Sequence, residues 1–231
     1  MGDPGLLPIS GADIRFEPRA WAFAEAHAAK IEAHWHRRRA EQPRLYNGGV
    51  LLLGGWSLAD GLVTGACFAT DFKSFLYWRE NGAPDRSVAD FFAAAALHSR
   101  EGWLIVGRMG AHTANRGRVY PPCGSLHPDD IRDGRVDLDG SILREVAEET
   151  GFRLTIRDFD APMLVRDGAR LVYMRRIVLD RPAAGIVAEI ERFLREQEEP
   201  ELAEVLIVKG PQDIEPTMPG FAATYIRHAF A

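Results

Sequence analysis

From Asp90 to Gly110 the chain reads DFFAAAALHSREGWLIVGRMG, two apolar runs on either side of a short polar SREG. Whatever fold forms must accommodate both runs at once. Alanine propensity alone makes the first run a helix. WLIVGR, however, is plainly extended and apolar, and a tight turn at SREG would return the chain onto it. We therefore read a strand, a turn and a second strand, against the helical preference of the alanines.

The rest of the chain alternates in the same way. Residues from about Trp21 to Ala40 read as a helix. NGGVLLLGGW and GLVTGACFATDF read as two strands joined through SLADG. The polar stretch RENGAPDRS, Arg79–Ser87, is the candidate boundary between an N-terminal α/β lobe (1–85) and a second domain (86–231). A long loop with Pro, Gly and Asp throughout runs from Gly110 to Gly140. A helix around SILREVAEETGF follows, then the strand ARLVYMRRIVL, the amphipathic helix GIVAEIERFLREQEE, the strand AEVLIVK and the helix FAATYIRHAFA. The acidic REQEEPE reads as a solvated helix end.

Composition narrows the function. The 231 residues are 46% hydrophobic, enough for one large domain or two small lobes. A net charge of −5 gives no reason to expect a nucleic-acid partner. The longest apolar stretches are too short to span a bilayer, and MGDPGLLPIS lacks the basic start and apolar run of a leader. Two cysteines, Cys67 and Cys123, build neither a disulfide framework nor a zinc cluster. The expected setting is soluble and cytoplasmic, with no membrane partner. No oligomeric state follows from the sequence.

The segment Ser141–Phe152 gathers three acids in an apolar frame. At about 100° per residue, Ile142, Leu143, Val146 and Ala147 share one arc of a helix, and Glu145, Glu148 and Glu149 share another. Glu145 is four residues from Glu149 and three from Glu148, so the carboxylates should converge, while Arg144 can pair with Glu148. Like charges at this spacing each cost about 0.2–0.5 kcal/mol on an isolated helix. A hard divalent cation would remove that cost through oxygen ligands. The spacing alone is also that of an ordinary solvated helix face. Gly151 is a suitable helix stop.

The string resembles the signature of the Nudix hydrolases: Gly, five residues, Glu, seven residues, then Arg-Glu-U-x-Glu-Glu-x-Gly-U, with U a bulky apolar residue. Arg144, Glu145, Val146, Glu148, Glu149, Gly151 and Phe152 fill the fixed positions of the second half. The first half departs from it. Gly124 is followed after five residues by Asp130, and thirteen residues rather than seven separate Asp130 from Arg144. The resemblance covers Arg86 to Ala231 and implies an α/β/α sandwich with a mixed sheet. It implies that Glu145, Glu148 and Glu149 bind metal, that Arg144 orients a glutamate, and that the chain hydrolyses a diphosphate. Magnesium is the expected ion and manganese its substitute, because the ligands are hard oxygens. Glu148 is one candidate for the general base. Gly124 should allow close approach of the loop to the helix or to phosphates. Asp130, shorter than glutamate and in a loop expected to be exposed, should contribute little.

The N-terminal part, IEAHWHRRRAEQPRLYNGGVLLL with FATDFKSFLYW, is similar in tone to the UDP-glucose diphosphatase branch of that family. This implies a small-molecule nucleotide substrate, with UDP-sugars cleaved to UMP and sugar 1-phosphate. A Nudix-fold nucleotide sensor with weak turnover is the alternative, suggested by the missing signature glutamate. Arg108, Arg116 and Arg118 flank the loop and could meet phosphates. His34, Trp35, His36, His127 and Cys123 read as structural or surface residues. Tyr46, Phe72 and Tyr77 could stack a base, but aromatics in strands more often belong to a core.

Overall fold

The computed structural model describes residues 5–231. Met1–Pro4, on which the reading of the N-terminus partly rests, lie outside the described residues. In chain order the elements are β1 (Gly5–Pro8), β2 (Gly11–Phe16), α1 (Ala22–Ala26), α2 (Ala28–Glu41), β3 (Gly49–Ala59), β4 (Leu62–Asp71) and α3 (Phe72–Glu80). There follow β5 (Val88–His98), β6 (Leu104–Met109), β7 (Val119–Tyr120), β8 (Cys123–Ser125), β9 (Ile131–Arg132), β10 (Arg135–Val136) and α4 (Leu138–Thr150). The chain closes with β11 (Met163–Asp167), β12 (Arg170–Val178), α5 (Ala183–Arg195), β13 (Leu202–Val208) and α6 (Gly220–Ala229).

The alanine-rich run is a strand. All eleven residues of β5 are buried, and Ala93, Ala94, Ala95 and Ala96 have no exposure at all. Tertiary burial overrides propensity here: the strand pairs in parallel with β12 and antiparallel with β3, β6 and β8. The SREG turn closes as expected, with Gly102 N–H donating to Ser99 C=O at 2.9 Å. Layers cover both faces of the mixed sheet. Phe92 meets Phe221 of α6 at 5.3 Å between ring centroids, and His98 bonds Tyr225 of the same helix. Alternation along the strand turns Ala93 to the opposite face, where α4 packs over β5 and β8.

Strands from the first 85 residues join this sheet at several places. Leu53 of β3 pairs with Ala89, β1 pairs with β11, and β2 pairs with β10. A separate core of Trp21, Val50, Leu52, Phe68, Phe75 and Trp78 lies under α3. Among the described residues no helix is long and apolar enough to cross a membrane.

Several elements differ from the sequence reading. FKSFLYWRE is helix α3, not strand or loop, because the Asp71 carboxylate caps it by accepting from Ser74 N–H at 3.0 Å. Phe72 and Tyr77 are therefore helical aromatics. The N-terminal helix breaks at His27, whose ring stacks on Phe23 at 4.3 Å. The Gly110–Gly140 loop contains β7 to β10, and α4 starts at Leu138, capped by Asp137 accepting from Gly140 N–H at 2.9 Å.

Candidate active site

Helix α4 presents the acidic residues, and its ends fix its position. At the far end Gly151 takes φ 76°, and a Cβ there would also lie 2.6 Å from the Phe193 ring. Both the conformation and the space require glycine. The buried face of α4 holds Leu138, Ser141, Ile142, Glu145, Val146, Glu149 and Thr150. Two of the three acids are therefore inside, and the separate solvated acidic arc drawn from the wheel is not what forms. Glu145 and Glu149 are 8% and 2% exposed, whereas the Glu148 side chain is 60% exposed. Positions 145 and 149 lie about 40° apart on the helix and 148 lies about 100° from 149, so the boundary of burial runs between them. Among the described residues no three His, Cys, Asp or Glu side chains are gathered closely enough to hold an ion. The convergence expected of all three glutamates is thus realised for one buried pair.

The loop through β8 approaches this pair closely. Cys123 N–H donates to Glu149 Oε1 at 3.3 Å. A Cβ on Gly124 would overlap the Glu145 carboxylate, so the glycine leaves the space which that side chain occupies. Glu149 Oε2 is buried and has no hydrogen-bond partner. Burial, then the charges of Glu145 and Glu201, push the Glu149 carboxyl well above the usual carboxylate range. Burial also raises Glu145 to about 7, with Arg144 opposing the shift and Glu148 and Glu201 adding to it. An unpartnered carboxylate oxygen beside a second carboxylate fits a hard cation in chemistry and in charge.

Arg144 joins the acids together. Its Nη1 donates to Glu145 Oε1 at 2.6 Å and to Glu148 Oε2 at 3.4 Å, and its Nη2 donates to Asp130 Oδ1 at 3.2 Å. The expectation for Asp130 is corrected: it is 5% exposed, not in open solvent. The one-turn helix Pro128–Asp130 carries it inward, with His127 N–H donating to Asp130 Oδ2 at 2.8 Å and the His127 ring accepting from Asp129 N–H. The longer loop folds back and returns the shorter acid to the arginine.

The flanking arginines separate. Arg108 is held by Glu204 at 2.8 Å and Glu215 at 3.1 Å. Arg116 and Arg118 line a cleft with Arg38 and Gln42, and Arg118 also faces a second pocket with Tyr120, Cys123 and Gly124. His34 is buried against Glu80 at 2.8 Å, Trp35 is buried, and His36 is exposed. Tyr46 is 82% exposed. The acidic run REQEEPE is the largely exposed end of α5 that it reads as, but sequence reasoning missed that Glu201 lies close enough for its charge to act on Glu145 and Glu149. It also missed Arg79, Asp90 and Arg170, which come from three different elements. Only the pairing of β5 with β12 could have pointed to the last two.

Neither the protein-family models nor the curated proteins contain a match to this chain. Among solved structures, the MutT protein from Methanosarcina mazei Go1 is 18% identical with a TM-score of 0.42, over 61% of this chain and 92% of that one. A bifunctional NMN adenylyltransferase/ADP ribose pyrophosphatase from Francisella tularensis is 15% identical with a TM-score of 0.43, over 66% of this chain and 42% of that one. The NUDIX domain of Shewanella oneidensis NrtR, in a cocrystal with ADP ribose, is 13% identical with a TM-score of 0.35, over 58% of this chain and 81% of that one.

Proposed function

We propose that this chain is a metal-dependent hydrolase of the Nudix type, cleaving the diphosphate of a nucleoside diphosphate linked to another group. One observation carries the reading: the buried Glu145–Glu149 pair, with Glu149 Oε2 unpartnered, beneath a loop whose Gly124 leaves room for a carboxylate. The signature string Arg144–Phe152 supports it independently. Burying like charges without a counter-ion is costly, and a site that keeps them has a use for a cation.

Glu145 and Glu149 would hold magnesium or manganese, with Glu148 turning in from solvent to complete the set. A bound divalent ion would neutralise diphosphate oxygens and lower the pKa of an attacking water. The chain's own residues do the positioning. Asp130 fixes Arg144, Arg144 fixes Glu145, and Cys123 N–H holds one Glu149 oxygen so that the other stays free. Glu148, the most exposed of the three, is our choice for the base that takes the proton from water. In the division we propose, residues 86–231 form the hydrolase domain and residues 1–85 pack on it as an α/β lobe.

The finer reading is a UDP-sugar cleaved to UMP and sugar 1-phosphate. Its support is the similarity of the N-terminal segment to UDP-glucose diphosphatases. The test is phosphorus NMR on UDP-glucose, ADP-ribose, dinucleotides, coenzyme A and nucleoside triphosphates, with magnesium and then with excess chelator. Turnover should require the ion and should place oxygen-18 from water in a phosphate product. Unchanged turnover in chelator would overturn the metal role. Label in free sugar, released with UDP, would overturn attack at phosphorus. Another nucleotide turned over briskly with UDP-sugars inert would remove the finer reading alone. Tight nucleotide binding with no turnover would favour the sensor.

A further inference from the structure

A pocket opens against the β8 loop, which also touches the carboxylates. Arg79, Asp90, Asn115, Arg118, Tyr120 and Arg170 are among the residues that line it. Cys123 and Gly124 are therefore shared: they touch Glu149 and Glu145 and also line the pocket.

The charges in the pocket do not cancel. Arg170 is neutralised by Asp90 and Asp167, each at 3.5 Å. Arg79 is half-buried, and its guanidinium lies over the Phe75 ring at 5.0 Å. Among the described residues neither Arg79 nor Arg118 makes a side-chain hydrogen bond or an ion pair within 4.0 Å. Burial pulls the Arg79 guanidinium down, with the charge of Asp90 opposing the shift and that of Arg170 adding to it. A guanidinium drawn out of water with its donors unused is costly unless an anion arrives. Asn115 and the buried Tyr120 phenol add polar groups to the same pocket.

We infer that Arg79 and Arg118 form an anion subsite that takes the phosphate of the substrate's diphosphate lying away from the carboxylates. Arg79 belongs to α3, so the N-terminal lobe supplies part of the substrate site. The inference rests on the hydrolase reading for the identity of the phosphate, and on the pocket alone for its charge.

Calorimetric titration with inorganic pyrophosphate in excess EDTA tests it without help from a metal. Wild type should bind, and Arg79→Met should weaken binding at least tenfold, with Arg79→Lys between the two. Arg118→Met is exposed and cannot unfold the core, so a tenfold weakening there decides the matter if Arg79→Met fails to fold. Glu149→Gln should bind no more weakly than wild type. In turnover with magnesium, Arg79→Met should raise KM more than it lowers kcat. No pyrophosphate binding by wild type, or equal affinity in the folded Arg79 and Arg118 variants, would overturn the subsite. Arginine-dependent binding with no turnover of any nucleotide would keep the subsite and remove the hydrolase reading. Turnover with arginine-independent binding would do the reverse.

Discussion

The sheet and the helices against it bury two ionisable groups, His98 at the end of β5 and Glu149 over its middle, where Cys123 pairs with Ala94, and the two groups are treated in opposite ways. His98 is 1% exposed and fully engaged, with its Nδ1 against Gly102 C=O at 2.8 Å and its Nε2 against the Tyr225 hydroxyl at 2.8 Å. Glu149 is 2% exposed, has one oxygen without a partner, and lies among carboxylates that repel it. A buried hydrogen bond that is made contributes about 0.5–1.5 kcal/mol net, whereas a buried polar group left unpaired costs about 1–3 kcal/mol. The first arrangement holds a fold together. The second is retained where something else is meant to bind.

The largest expected effect separates these two groups directly. Glu149→Gln should lower kcat about a thousandfold, the scale of losing one group that stabilises transition-state charge. Its metal-free thermal midpoint should stay the same or rise, because repulsion is removed. A collapsed melt would make Glu149 structural and erase the contrast. Next, His98→Ala should cost about 3 kcal/mol of stability through the cavity and the stranded Tyr225 hydroxyl. Turnover per folded molecule should be unchanged, and denaturant melts beside kinetics would show both. Third, Asp130→Ala should lower turnover at least tenfold, about 1.4 kcal/mol, by releasing Arg144 from its place beside Glu145. A silent variant would mean that the arginine needs no anchor.

The smallest effect is in pH. Burial, the leading cause, lowers the His98 pKa below its ordinary value. Below about 6.5 the unfolded imidazole binds a proton that the folded one refuses, so acid favours unfolding. The His98 contribution is therefore complete above that pH and is lost as pH falls toward the folded pKa, by at most about 1.4 kcal/mol per unit. The difference between wild type and His98→Gln isolates it, since Glu145 and Glu149, both shifted upward, push the other way. A difference that does not change between pH 7 and pH 5 would show that His98 accepts a proton in place.

Periodicity and turn chemistry revealed most of the elements from Val88 onward, including β5 against its own propensity, because WLIVGR required a partner. They failed where a polar residue did a local job. Asp71 looked like a strand end and is a helix cap, so α3 and its Arg79 went unseen. Asp130 looked like loop surface because the reciprocal bonds of His127 and Asp130 cannot be read from spacing. The helix wheel placed the acids on one arc correctly but could not say where water ends. That boundary is set by the loop through Cys123 and Gly124, more than twenty residues away from Glu149. Sites assembled from distant strands, such as Asp90 beside Arg170, need the register of the sheet before they exist at all.

The alanines of β5 have a mechanical consequence for the chemistry above them. Ala93 faces Gly124 across the strand pair, and Gly124 touches Glu145. The height of α4 over the sheet is thus set by a methyl group and a hydrogen, with no slack to absorb anything larger. Ala93→Val would add volume where packing costs about 1–3 kcal/mol to disturb, and the easiest relief is to lift the helix. A substitution buried under the sheet's own surface, touching no reacting atom, would then register as a misplaced pair of carboxylates.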